Sequence, residues 1–187
     1  MNKIFSTVGF FLFSFNVHAG SLGDLTIGGA GCVNNSKTQK INLIAGSKDR
    51  YSIPIHIKLN KDATVSLGRK ACNFRLPVVL NPDEKVSLMN LSQHVELEAN
   101  KGSQVKTSLE VFFAALGKSK PIITEIKATD KSEKLSQVVR LDGVIAESAC
   151  GNSTIVSGNL SAVASGSAGA VANLESLLIT IQIAKCK

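Results

Sequence analysis

Gly68-Arg-Lys-Ala-Cys72-Asn-Phe-Arg-Leu-Pro-Val-Val-Leu80 is the stretch that decides the fold. Cys72, Phe74, Leu76, Val78 and Leu80 alternate with Asn73, Arg75, Pro77 and Val79. A period of two sends successive side chains to opposite faces, which is the pattern of a half-buried β-strand. The first inward position is a cysteine, so the strand is both a core element and a covalent anchor.

The same alternation recurs on either side. Tyr51, Ile53, Ile55, Ile57 and Leu59 alternate with Ser52, Pro54, His56 and Lys58. Pro54 has no N–H to give a ladder, which predicts a sheet edge or a bulge at that point. Further strands are predicted over residues 40–45, 63–67, 85–89, 95–99, 105–116, 121–127, 138–145, 154–156, 160–164 and 177–184. Asn81-Pro-Asp-Glu84 and Ser157-Gly-Asn159 read as turns, and Asn100-Lys-Gly102 as the turn of a hairpin. Residues 20–32 read as a glycine-rich surface lead-in, residues 128–137 as a polar loop and residues 165–170 as a mobile loop of small residues. Short strands, turn residues between them and no amphipathic helix predict an all-β fold. Its expected form is an antiparallel two-sheet β-sandwich of about 8–10 strands.

The first nineteen residues have a different character. Lys3 is followed by an apolar run from Ile4 to Phe15, and Val17-His18-Ala19 puts small residues where a signal peptidase reads. The run is about a dozen residues, against the ~20 needed to cross a bilayer. The expectation is a cleaved signal peptide over residues 1–19, then a single domain over residues 20–187, secreted or periplasmic, with no membrane span. Removing 19 of 187 residues leaves 168, and removing Lys3 leaves 20 basic against 14 acidic side chains, a net charge of +6. The basic residues are scattered and most of the eight phenylalanines lie in the leader. That argues against nucleic-acid binding and against an aromatic platform for sugars. Weak attraction to an anionic envelope remains open to such a chain.

Four cysteines, Cys32, Cys72, Cys150 and Cys186, suit disulfides in an exported protein. Of three connectivities the favoured one is Cys32–Cys72 with Cys150–Cys186, with crossed pairing left open. Each bridge closes a loop of roughly forty residues, worth ~3–4 kcal/mol on chain-entropy grounds. No two cysteines are close enough in sequence to suggest a metal site.

Gly28-Gly-Ala-Gly-Cys32, Arg69-Lys-Ala-Cys-Asn-Phe-Arg-Leu76, the Asn81-Pro82 turn, the strands running to Phe113, and Cys150 with a terminal Cys186 together resemble the domain of unknown function 4360 family. Two positions depart from the family pattern: Val33 replaces a frequent proline, and the chain has no tryptophan. The resemblance implies an exported, disulfide-stapled β-sandwich and carries no activity or catalytic residue.

Chemistry is sparse. Only His56 and His94 follow the leader, no serine sits in a Gly-x-Ser-x-Gly elbow, and both histidines read as surface polar residues rather than catalytic groups. A zinc site from them with Asp62 or Glu96 would need convergence from distant segments. Asp49, Asp62, Asp83, Glu84, Asp130 and Glu133 read as solvated turn residues rather than a glycosidase pair. Asn34, Asn90, Asn152 and Asn159 each open an Asn-x-Ser/Thr triplet but are ordinary turn residues too. No catalytic residue, metal site or cofactor motif is assigned. The expected function is a non-catalytic binding or envelope-associated module. Its partner would be a protein or polysaccharide of the envelope or exterior, with protein contact or charge-driven association ahead of sugar stacking. The alternative is an extracytoplasmic hydrolase built on carboxylates.

Overall fold

The alternating stretch forms one strand, Leu67–Val79, in the computed structural model, which describes residues 20–32, 41–116 and 120–186. Cys72, Phe74, Leu76 and Val78 are each no more than 1% exposed. The predicted leader, the Asn34 triplet and the start of the basic turn before Lys120 lie outside the described residues. In chain order the strands are β1 (Ser21–Leu22), β2 (Thr26–Gly28), β3 (Asn42–Leu43), β4 (Arg50–Ile53), β5 (Ile57–Lys61), β6 (Leu67–Val79) and β7 (Glu84–Ala99). They continue as β8 (Ser103–Phe113), β9 (Ile122–Ala128), β10 (Glu133–Glu147), β11 (Thr154–Gly166), β12 (Ala170–Leu174) and β13 (Leu177–Lys185). The described chain has no helix.

Two antiparallel sheets pack face to face. In the first, β6 pairs with β11, β11 with β8 and β8 with β9, while β1 and β2 run along the free side of β6. In the second, β7 is central. It pairs with β10 on one side and with β12 and β13, end to end, on the other; β5 and β4 lie outside those two, and β3 outside β4. The inward faces of both sheets form one core that includes Leu25, Ile53, Ile57, Phe74, Leu88, Phe113, Leu160 and Leu174.

Several boundaries differ from expectation, each for a local reason. The segment from Tyr51 to Leu59 is two strands: it breaks at Pro54, and its halves pair with different neighbours, β4 with β13 and β5 with β12. The strands expected over residues 85–89 and 95–99 are one 16-residue strand, β7, which runs through Leu91–His94 without a break. Asn90, with φ 37°, adds a bulge there, so the alternation changes parity and mimics a strand end. The expected hairpin at Asn100–Gly102 is a corner, since β7 and β8 belong to different sheets.

The expected turn at Ser157–Asn159 lies inside β11. Gly158 is there because a Cβ would collide with the ring of Phe74 on β6. The polar loop shrinks to residues 129–132, because Glu133 to Gln137 already pair with β7. The small-residue loop shrinks to residues 167–169. Its Ala168 carbonyl accepts hydrogen bonds from the buried Lys61 Nζ at 2.7 Å and Ser103 Oγ at 2.6 Å. Residues 63–66 are a turn rather than a strand, and Asp62 caps them by accepting from Thr64 N. Most of the 20–32 lead-in is not loose: its strands line the edge of β6, and Leu25 and Ile27 are buried.

The cysteines pair as Cys32–Cys72 and Cys150–Cys186. Cys32 also forms a β-bridge with Ile57 of β5, so this corner joins the first sheet, through Cys72, to the second.

Candidate functional site

The outer face of the second sheet is not flat. Four irregularities interrupt its strands. β4 and β5 part at Pro54, β12 and β13 part at Glu175-Ser176, β7 bulges at Asn90, and β10 bulges at Asp142-Gly143. The two bulges are tied together, since Gly143 N donates to Asn90 Oδ1 at 2.7 Å. Asn90 is the single non-glycine residue with positive φ among those described. Interrupted ladders and unusual backbone angles of this kind recur at binding and catalytic sites.

Between these breaks lies an open groove of about 770 Å³. Strand register places its outward side chains. Arg140 on β10 stands opposite Ser92 on β7, which stands opposite Leu178 on β13 and then Ser52 on β4. The next row holds Val138 and His94. Arg50 comes from β4, His56 from the Pro54 break, Asn173 from the end of β12, and Glu175 and Ser176 from the break beyond it.

His94 is held between two strands. Its Nδ1 lies 3.3 Å from Glu175 Oε2 and its Nε2 lies 3.0 Å from Ser136 Oγ on β10. His56 Nε2 lies 3.1 Å from Ser176 Oγ. Asn173 Nδ2 donates to Glu96 Oε2 at 3.1 Å. The guanidinium groups of Arg50 and Arg140 make no ion pair among the described residues. Beneath the floor, Gln93 is 2% exposed and spends its amide N–H on the Glu175 carbonyl at 2.8 Å, which fixes the β12–β13 break from the inside. Its Oε1 is the one buried side-chain polar atom without a partner among the described residues.

The two histidines, distant in sequence, thus meet in one groove, but the acids read from sequence as turn residues do not join them; the groove's own carboxylates are Asp142 and Glu175. Asp49 accepts from Gln182 Nε2 at 2.9 Å, Asp83 is paired with Lys185, and Asp130 accepts from Thr129. Among the described residues, no group of three His, Cys, Asp or Glu side chains is placed to hold a metal ion. The carboxyls whose titration is displaced move downward. A hydrogen bond from Thr64 lowers Asp62, one from Lys185 lowers Asp83, the Asn81 backbone N–H lowers Glu84, and the Ser87 hydroxyl lowers Glu147. A glycosidase acid needs the opposite shift.

Arg50, Ser136, Arg140, Asn173, Glu175 and Ser176 were not evident as a set from sequence. The usable sign was the pair of breaks in alternation, at Pro54 and at Glu175-Ser176, which lie about 120 residues apart and meet only through the pairing of β4 and β5 with β13 and β12.

No family model matches the sequence, and no curated protein matches it. Among solved structures, the chain is similar to one described as TmCBM61 in complex with beta-1,4-galactotriose, over 89% of this chain and 88% of that one. The identity is 11% and the TM-score 0.28, a likeness too slight to carry a functional argument.

Proposed function

We propose that the chain is a non-catalytic binding module acting outside the cytoplasm, and that its groove holds an extended anionic chain rich in hydroxyl groups. An acidic polysaccharide of the cell envelope is the class that fits. The observation that carries this reading is the pair Arg50 and Arg140, both without ion-pair partners among the described residues, on strands either side of the groove floor. With β13 and β7 between them they stand three strand steps apart across the sheet, ~14 Å, and two residues apart along it. Guanidinium groups suit carboxylates, and Ser92, Asn173, Ser176 and the two histidines supply the hydrogen bonds that hydroxyls need. Among the described residues no Phe, Tyr or Trp lines the groove, so recognition rests on hydrogen bonds and charge rather than stacking. Two disulfides support a secreted or periplasmic location, and no described helix is long and apolar enough to cross a membrane. Membership of the domain of unknown function 4360 family is part of the same proposal; it supports fold and export and supplies no activity.

The test is calorimetric titration with acidic and neutral polysaccharides at low and high salt. Binding of the acidic chains, weakened about tenfold by each of Arg50→Ala and Arg140→Ala, is expected. Equal binding of neutral chains, or indifference to both substitutions, overturns the reading.

One observation favours a second reading as a hydrolase, though not the carboxylate kind. Ser136, His94 and Glu175 stand in the order of nucleophile, base and orienting acid. Against it, Ser136 sits on the exposed face of a strand rather than at a sharp turn. Covalent capture of Ser136 by a fluorophosphonate would establish this reading, and absence of labelling would leave binding alone.

A further inference from the structure

Outside the groove lining, where the described chain starts, a backbone nitrogen meets a buried acid. Gly20 N donates to Glu84 Oε2 at 2.9 Å, and Asn81 N donates to the same oxygen at 3.0 Å. Lys185 Nζ stands 3.8 Å from the other carboxylate oxygen, but its closer partner is Asp83 at 2.6 Å. Glu84 is only 4% exposed, so its charge depends on these neighbours. Gly20 is closed on the side a side chain would take: a Cβ there would lie 2.8 Å from the Val79 carbonyl oxygen and 2.9 Å from Glu84 Oε2. A residue with a side chain cannot bring its nitrogen to this position without displacing one of them. Gly20 is also the residue just after the predicted cleavage point.

We propose that hydrolysis of the Ala19–Gly20 bond makes Gly20 the mature N-terminus and that its α-ammonium docks on Glu84 as a buried ion pair. In that step a signal peptidase adds water across the amide. Oxygen goes to the Ala19 carbonyl carbon, which leaves as a carboxylate with residues 1–19, and the Gly20 nitrogen takes up protons to become an ammonium. The uncut chain offers Glu84 a single neutral N–H from Gly20. The cut chain offers a positive charge and three donors on the same atom, and charge-assisted hydrogen bonds are roughly twice as strong as neutral ones. Processing thereby tightens a contact that folding has already aligned.

Glu84 is well placed for such a lock. It opens β7, its carbonyl accepts from Gly151 N at 2.8 Å beside Cys150, and the neighbouring Asp83 carbonyl accepts from Cys186 N at 2.8 Å. One carboxylate would then connect the new N-terminus to the disulfide that holds the C-terminal strand. The other charged groups near Gly20 are Lys48 and Asp49, which line the same recess.

Three measurements test this. N-terminal sequencing of the exported protein should begin at Gly20; any other first residue overturns the proposal. The mature chain should melt about 5 °C above the same chain carrying a two-residue extension before Gly20, and the extension should cost nothing further once Glu84→Gln is introduced. Equal melting of the two chains, or an equal cost in both backgrounds, overturns it. If Glu84→Gln does not fold, acetylating the Gly20 amine of the wild-type chain should produce the same fall, and no fall overturns the proposal. By NMR titration, the Gly20 amine should titrate above the 7.7–8.0 usual for a chain terminus. None of these outcomes depends on the groove, so polysaccharide binding can fail while the lock stands, and the reverse.

Discussion

The two disulfides close loops of nearly equal length, with sequence separations of 40 and 36, yet they sit in opposite surroundings. Cys72 is fully buried and Cys32 is 7% exposed, in the corner where β6 and β5 meet. Cys150 is exposed and Cys186 half-buried, at the far end among hydrogen-bonded turns. Loop entropy therefore assigns both bridges about the same value, ~4 kcal/mol. What separates them is the folded state. One bridge is a piece of the core, and the other is a clasp on the surface.

The largest expected effect tests that separation directly. Replacing Cys32 and Cys72 with alanine should cost the loop term plus about 1–2 kcal/mol of lost core contacts. Replacing Cys150 and Cys186 should cost the loop term or less. Urea unfolding of the two double variants measures the gap, and equal midpoints would remove the distinction. Mild reductant should also open Cys150–Cys186 first, as mass spectrometry of alkylated protein can follow.

A second test probes how tight the packing beside Cys72 is. Gly158→Ala pushes a methyl group into the Phe74 ring and should cost about 1–3 kcal/mol, partly recovered when Phe74→Leu is added. A neutral Gly158→Ala would mean that the buried end has slack that its geometry does not suggest.

The surface clasp should respond to acid instead. The Asn81 backbone N–H, helped by Gly20 and Lys185, holds the Glu84 carboxyl below the ordinary glutamate value of 4.5. Its contribution is therefore present above that value and disappears as the pH falls through the lowered one. Melting temperature should drop across this acid range, and Glu84→Gln should flatten the drop. An unchanged profile in Glu84→Gln would show that other carboxylates govern acid sensitivity.

The smallest effect is a control away from both bridges. Arg50→Ala and Arg140→Ala should alter stability by no more than about 0.5 kcal/mol, because neither guanidinium makes an ion pair among the described residues. A larger loss would make the arginines structural and weaken the binding proposal.

Particular residues explain what could be read in advance. Cys72 to Leu80, Val105 to Phe113 and Leu177 to Ile181 each bury one face against the core, so burial imprints a period of two on them and the all-β class follows. Asn90, Pro54 and Gly158 defeated the boundaries. Each marks a place where another strand or ring dictates the backbone, and the partner lies scores of residues away. The groove was hidden for the same reason. Its residues are ordinary polar side chains whose meeting depends on which strands pair, and periodicity carries no information about pairing. Glu84 looked like a turn acid because its neighbours are turn residues, whereas beyond Asn81 its partners, Gly20 and Lys185, lie far away in sequence.

The route of the chain between the sheets has a kinetic consequence. From β5 to β12 the strands pass to the opposite sheet at every connection but the one from β8 to β9. Apart from the β8–β9 and β3–β4 hairpins, neither sheet can then assemble from neighbouring segments, and the central pairings, β6 with β11 and β7 with β13, close loops of about 75 to 100 residues. Folding that waits on such distant encounters is slow for its size, on the millisecond-to-second scale of β-sandwiches. A chain held unfolded until it leaves the cytoplasm would meet oxidants during that wait, so thiol pairing and strand pairing would compete on the same clock.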